Sequence, residues 1–94
     1  MKNFVYLYYG MEGGMDEWKA WFGKLGDKIV DTGNPFKGGK AVMKSGVSDV
    51  KDPVPTGYSI VKAESLDEAI EMSKGCPSLG SDDGAVCVYE TMPM

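Results

Sequence analysis

The chain is expected to fold as one α+β domain with elements in the order β-α-β-β-α-β. Three observations predict this. An aromatic strand pattern, "NFVYLYY" (Asn3 to Tyr9), opens the chain. A long amphipathic helical pattern follows it. Further on, "GYSIVKAESLDEAIEMSKGCP" (Gly57 to Pro77) writes a strand, a capped helix and a stop in direct succession. A length of 94 residues suits one domain. The order is that of the split βαβ, or ferredoxin-like, arrangement: a four-stranded antiparallel sheet with two helices on one face.

The first strand is crowded with aromatic and branched residues, and Gly10 ends it. Phe4, Tyr6 and Tyr8 fall on one face, and Val5, Leu7 and Tyr9 on the other. A strand apolar on both faces belongs in a sheet covered on both sides. "MEGG" (Met11 to Gly14) reads as a loop whose glycines suit a hinged lid. The helix after it is expected from Met15 or Asp16 to Thr32. At 100° per residue, Met15, Trp18, Trp21, Phe22, Leu25 and Ile29 share one arc of roughly 120°, the width of a core-facing stripe. Lys24, Asp27, Lys28 and Asp31 lie opposite as a solvated charge stripe. Gly23 and Gly26 sit on the flank between, either tolerated at a cost in helix propensity or placed there for a close approach. Gly33 is the expected left-handed stop.

"NPFKGG" reads as a turn-rich connection and "KAVMK" (Lys40 to Lys44) as a short sheet strand. Ser45 and Gly46 can turn it into "VSDVK" as a brief hairpin arm, and "DPVP" breaks the chain again. Tyr58 to Ala63 is the next strand. Ser65 is its helix's N-cap, and Glu68 completes a capping box. Leu66, Ala69, Ile70 and Ser73 form the inner stripe, Gly75 caps the end, and Pro77 prevents continuation. "SLGSDDG" is a loop in which Asp82 and Asp83 mark a turn, and "AVCVYE" (Ala85 to Glu90) is the last strand.

Composition narrows the function classes. The formal net charge is −4, and all ten cations are lysine. Without arginine the chain lacks the planar fork that grips phosphate and carboxylate, so nucleic acid and anionic membranes are poor partners. Histidine is absent, which removes the usual base near neutral pH and the commonest metal ligand. No metal or other cofactor is expected. Cys76 and Cys87 lack a C-x-x-C spacing and read as two reduced thiols. Neither a signal peptide nor an apolar run long enough to span a membrane is recognisable, so a cytoplasmic protein is expected.

Three pieces of the chain resemble the YCII-related, or DGPF-domain, family. They are the strand ending in "LYYG", the segment "WKAWFGKLGDKIVDTGNPF", and "GYSIVKAESLDEAIEMSKGCP" with its S-x-D-E-A helix start and Cys-Pro stop. The resemblance implies a ferredoxin-like domain that pairs as a dimeric α+β barrel and carries a cleft. Where the family's name-giving motif would fall, this chain reads "DVKDPVPTG". Where the family often places a histidine, this chain has Trp18 and Trp21 on the helix and Ser78 after Cys-Pro. The implied histidine chemistry therefore does not carry over.

The chemistry that remains is aromatic. Tyr6 and Tyr8 share a strand face, and Trp18, Trp21 and Phe22 share a helix face. Most of this is core by spacing alone, yet Tyr and Trp bury comfortably only when their polar tips find partners. Such tips meeting between helix and sheet make an apolar pocket with a few directed groups, and Asn34 can add an amide. Tyr6, Tyr8, Trp18, Trp21, Phe22 and Asn34 are the candidate ligand-binding residues. Cys76 follows a helix C-terminus, which does not activate a thiol, and Lys62 suits a sheet rim. The leading expectation is a homodimer that binds a small neutral or apolar molecule. The alternatives are a metal-free enzyme using Tyr, Asp or Glu, or an interaction module without a pocket.

Overall fold

In the computed structural model, residues 1–10 and 13–93 are described. The elements are β1 (Lys2–Tyr9), α1 (Met15–Leu25), β2 (Ile29–Asp31), β3 (Lys40–Met43), β4 (Gly46–Asp49), β5 (Gly57–Ala63), α2 (Leu66–Ser73) and β6 (Ala85–Glu90). A four-stranded antiparallel sheet runs β2-β5-β1-β6, and β3 pairs only with β4 in a separate hairpin. The result is an α+β fold with two helices, compatible with a ferredoxin-like arrangement. Among the described residues no helix is long and apolar enough to cross a membrane.

The alternation of β1 decides where the core lies. Phe4, Tyr6 and Tyr8 are buried, together with Val61 and Ala63 of β5, Trp21 and Leu25 of α1, and Ala69 of α2. Both helices thus pack on one face of the sheet. On the opposite face Val5, Leu7 and Tyr9 are only half-buried, in register with Ile60 and Tyr58 of β5 and with Tyr89, Cys87 and Ala85 of β6.

The first helix is shorter than its periodicity predicts. It ends at Leu25, followed by a 3₁₀ turn (Gly26–Lys28), and Ile29–Asp31 becomes an edge strand on β5. Gly26 takes φ +57°, which a side chain resists, and β-branched Ile29 and Val30 then favour extended backbone. Ile29 still reaches the core, but from the sheet. A Cβ at Gly23 or Gly26 would meet nothing within 4 Å, so no backbone or side chain among the described residues crowds that flank.

This edge strand takes the sheet position expected for Lys40 to Lys44. Those residues form a hairpin arm instead, with Lys40 paired to Asp49 and Val42 opposite Val47. Gly33 is left-handed at φ +70°, as expected of a stop, but it ends β2 and not a helix.

The second helix begins as its cap predicts. The Ser65 hydroxyl accepts from the Glu68 N–H at 3.1 Å, while the Glu68 carboxylate reaches the Glu64 N–H at 3.3 Å, one residue earlier than a standard capping box. Its inner stripe narrows to Ala69 and Ser73, while Leu66 and Ile70 are exposed. The helix ends at Ser73 with Lys74 as a right-handed C-cap, so Gly75 is not the cap. Pro77 then opens a second 3₁₀ turn (Pro77–Gly80).

Candidate functional site

Two aromatic layers form where α1 lies over β1. In the inner layer Tyr6 stacks on Trp21 with ring centroids 5.9 Å apart and planes at 27°. In the outer layer Tyr8 meets Trp18 edge-on at 4.9 Å, and Trp18 meets Phe22 at 5.9 Å. The two-residue step along the strand and the three- to four-residue step along the helix set these layers.

A cavity of about 360 Å³ opens beyond the outer layer. Tyr8 of β1 and Met15, Trp18 and Phe22 of α1 make one wall. The chain leaving β2 (residues 32–35) and the entry to β5 (residues 56–58) make the other, with Gly13 at the margin. Four of the six residues singled out from the sequence therefore line this cavity: Tyr8, Trp18, Phe22 and Asn34. Tyr6 and Trp21 do not; they lie in the buried core behind it. Of the expected lid, Met11 and Glu12 lie outside the described residues.

The second wall is held by backbone. Pro35 bridges to Gly57, the Tyr58 N–H donates to the Asn34 carbonyl at 3.4 Å, and the Phe36 N–H donates to the Thr56 carbonyl at 2.8 Å. Gly33 makes this approach possible: a Cβ there would lie 1.8 Å from the Tyr58 carbonyl oxygen. The Thr56 hydroxyl is shared between the Tyr8 and Gly10 carbonyls at 3.2 and 3.1 Å. Phe36 stacks on Tyr58 with ring centroids 5.9 Å apart. The sequence reading missed Thr32, Gly33, Pro35, Thr56, Gly57 and Tyr58 as wall residues. The signal available was the G-N-P turn at Gly33–Pro35.

Electrostatically the cavity is quiet. Its described lining contains no Asp, Glu or Lys. Burial lifts the Tyr6 phenol from 10.0 to about 12, with Cys76 adding to the rise. The Tyr8 phenol is pushed up further, again chiefly by burial. Its hydroxyl is buried with no hydrogen-bond partner among the described residues. Ser59 stands near enough to favour ionisation, but its own proton goes to the Thr32 carbonyl at 2.6 Å. Burial also raises the Cys76 thiol, while Ser78 works against the rise. Both cysteines are free. Among the described residues no three Cys, Asp or Glu side chains gather as a metal site would require.

A second groove, of about 380 Å³, lies at the base of the hairpin and includes Lys37 and Asp49 in its lining. The comparisons give no relative to set beside this geometry: no family model, no curated protein and no solved structure matches the chain.

Proposed function

We propose that this chain binds a small, uncharged, largely apolar molecule in the cavity between α1 and the exit of β2, as a cytoplasmic homodimer. The carrying observation is the cavity itself: about 360 Å³, walled by Tyr8, Met15, Trp18 and Phe22, with no charged side chain among its described lining. A volume at the lower end of the ligand-site range, aromatic walls and a few polar tips are the usual anatomy of such sites. An anion or cation would forfeit hydration there without gaining a charged partner among the described lining residues.

The half-buried face of Val5, Leu7, Ile60 and Tyr58 supports the dimer, since a second copy laid sheet to sheet would cover it. The strand order β2-β5-β1-β6, with the hairpin taken as an insertion, supports ferredoxin-like topology. Membership of the YCII-related family, with its dimeric barrel, is part of this reading. Two free thiols suit a reducing compartment.

The enzyme reading has less support. A general base works best with a pKa near the operating pH, and burial moves the Tyr8 phenol away from that range. Calorimetric titration with naphthalene, an uncharged apolar probe, tests the binding. Saturable binding that Trp18→Ala abolishes is expected, and no heat of binding would sink the proposal. Light scattering tests assembly: the mass of two chains is expected for the wild type and of one chain for Leu7→Lys.

A further inference from the structure

The cavity has two chemically different walls, and the difference defines a ligand class. The β1–α1 wall is lined by the aromatic residues Tyr8, Trp18 and Phe22 and by Met15. The facing wall carries polar groups, most of them already engaged. The Thr56 hydroxyl is held by the Tyr8 and Gly10 carbonyls, and the Thr32 carbonyl by Ser59. The Gly33 N–H donates to the Asp31 carboxylate at 2.8 Å, and the Asn34 carbonyl accepts from the Tyr58 N–H. What stays open to a ligand is side-chain polarity: the Thr32 hydroxyl and the Asn34 carboxamide, neither hydrogen-bonded within the described chain. Asn34 alone among them offers a donor and an acceptor fixed in one plane.

We infer that the occupant is an uncharged aromatic ring bearing a hydroxyl or carboxamide substituent. Its ring packs on Tyr8, Trp18 and Phe22, and its substituent is read by Asn34. This rests on the reading of the cavity as a ligand site and adds to it a direction and a selecting residue. Aromatic rings pack favourably edge-on or offset against other rings. The Tyr8–Trp18 edge contact leaves ring surface facing the cavity for such packing. A carboxylate in place of the hydroxyl meets no cation on either described wall and loses its hydration on entry.

Calorimetric titration with naphthalene, naphthol and naphthoate tests this. Naphthol is expected to bind about 3- to 10-fold more tightly than naphthalene, the factor one neutral hydrogen bond supplies. Naphthoate is expected to bind at least ~10-fold more weakly than naphthol. Asn34→Leu is expected to bring naphthol down to the affinity of naphthalene, with the thermal melting curve unmoved because Asn34 is exposed. Equal binding of naphthol and naphthalene by the wild type overturns the inference and leaves the apolar site standing. So does a naphthol preference that survives Asn34→Leu, or a preference for naphthoate. Failure of all three probes to bind overturns the inference and the ligand site together.

Discussion

The Tyr6 hydroxyl donates to the Ala69 carbonyl at 2.6 Å and so ties β1 to α2 through the core. Two residues further along the same strand face, the Tyr8 hydroxyl is buried without a partner among the described residues. Removing a bonded hydroxyl and removing an orphaned one have opposite consequences. Tyr6→Phe is expected to lower the unfolding free energy by about 1–2 kcal/mol. Tyr8→Phe is expected to leave it unchanged or raise it slightly. Urea unfolding followed by tryptophan fluorescence compares the two, and equal losses would mean that Tyr8 has a partner after all.

The same burial makes stability fall in alkali. Tyr6, Tyr8 and Cys76 all hold their protons more tightly in the folded chain than their ordinary values of 10.0, 10.0 and 9.0. Their contribution is therefore complete below pH 9.0. It declines as the unfolded chain loses these protons first, and the Tyr6 part is gone once pH passes about 12. Melting temperature measured from neutral pH upward should drop beyond pH 9.0 to 10.0. Combining Tyr6→Phe with Tyr8→Phe should flatten the drop beyond pH 10.0. An unchanged slope in that double variant would place the titrating groups elsewhere.

Two glycines separate backbone demand from helix propensity. Gly33 combines φ +70° with a Cβ position 1.8 Å from the Tyr58 carbonyl oxygen. Gly33→Ala should cost about 3 kcal/mol or more and loosen the second cavity wall. Gly23 lies in α1 with open space around it, so Gly23→Ala should stabilise by about 0.5–1 kcal/mol. Thermal melts of the two variants should move in opposite directions.

The two tryptophans should divide stability from the proposed recognition. Trp21 is 3% exposed and packs against Tyr6, Tyr8 and Phe22. Trp21→Ala should cost about 3–5 kcal/mol. Trp18 is half-buried at the cavity, so Trp18→Ala should cost clearly less stability while removing probe binding. Chemical denaturation paired with calorimetric titration checks both halves. A Trp18 variant that binds naphthalene as the wild type does would remove it from the site.

Much of the fold was legible where local signals agreed. In β1, β5 and β6 the strand patterns, and in α2 the cap, each pointed to one local structure, and the elements lie close to where the sequence places them. The strand at Ile29–Asp31 was hidden because Ile29 falls four residues after Leu25 and so continues the helical stripe. Gly23, Gly26 and the β-branched pair Ile29–Val30 were the contrary signal, and at Gly26 that signal prevailed. Lys40–Met43 alternates like a sheet strand, yet only its own hairpin partner pairs with it. Side-chain pattern alone named Tyr8, Trp18 and Phe22 of the aromatic wall, but could not separate them from Tyr6 and Trp21 of the core behind it. The opposing wall depends on Pro35 meeting Gly57 and Gly33 meeting Tyr58 across the fold, contacts that no local pattern announces.

Tyr8 belongs to the hydrophobic core and to the cavity lining at once. A change of ligand preference made through that ring would have to repack β1 against α1. Thr32, Asn34 and Pro35 carry no such obligation, because all three are exposed and joined to the rest mainly through backbone. The proposed site is thus divided between a conservative half and an adaptable half. In a set of descendants tuned to different molecules, the rings of β1 and α1 and the turn glycine Gly33 should stay, and Thr32, Asn34 and Pro35 should drift.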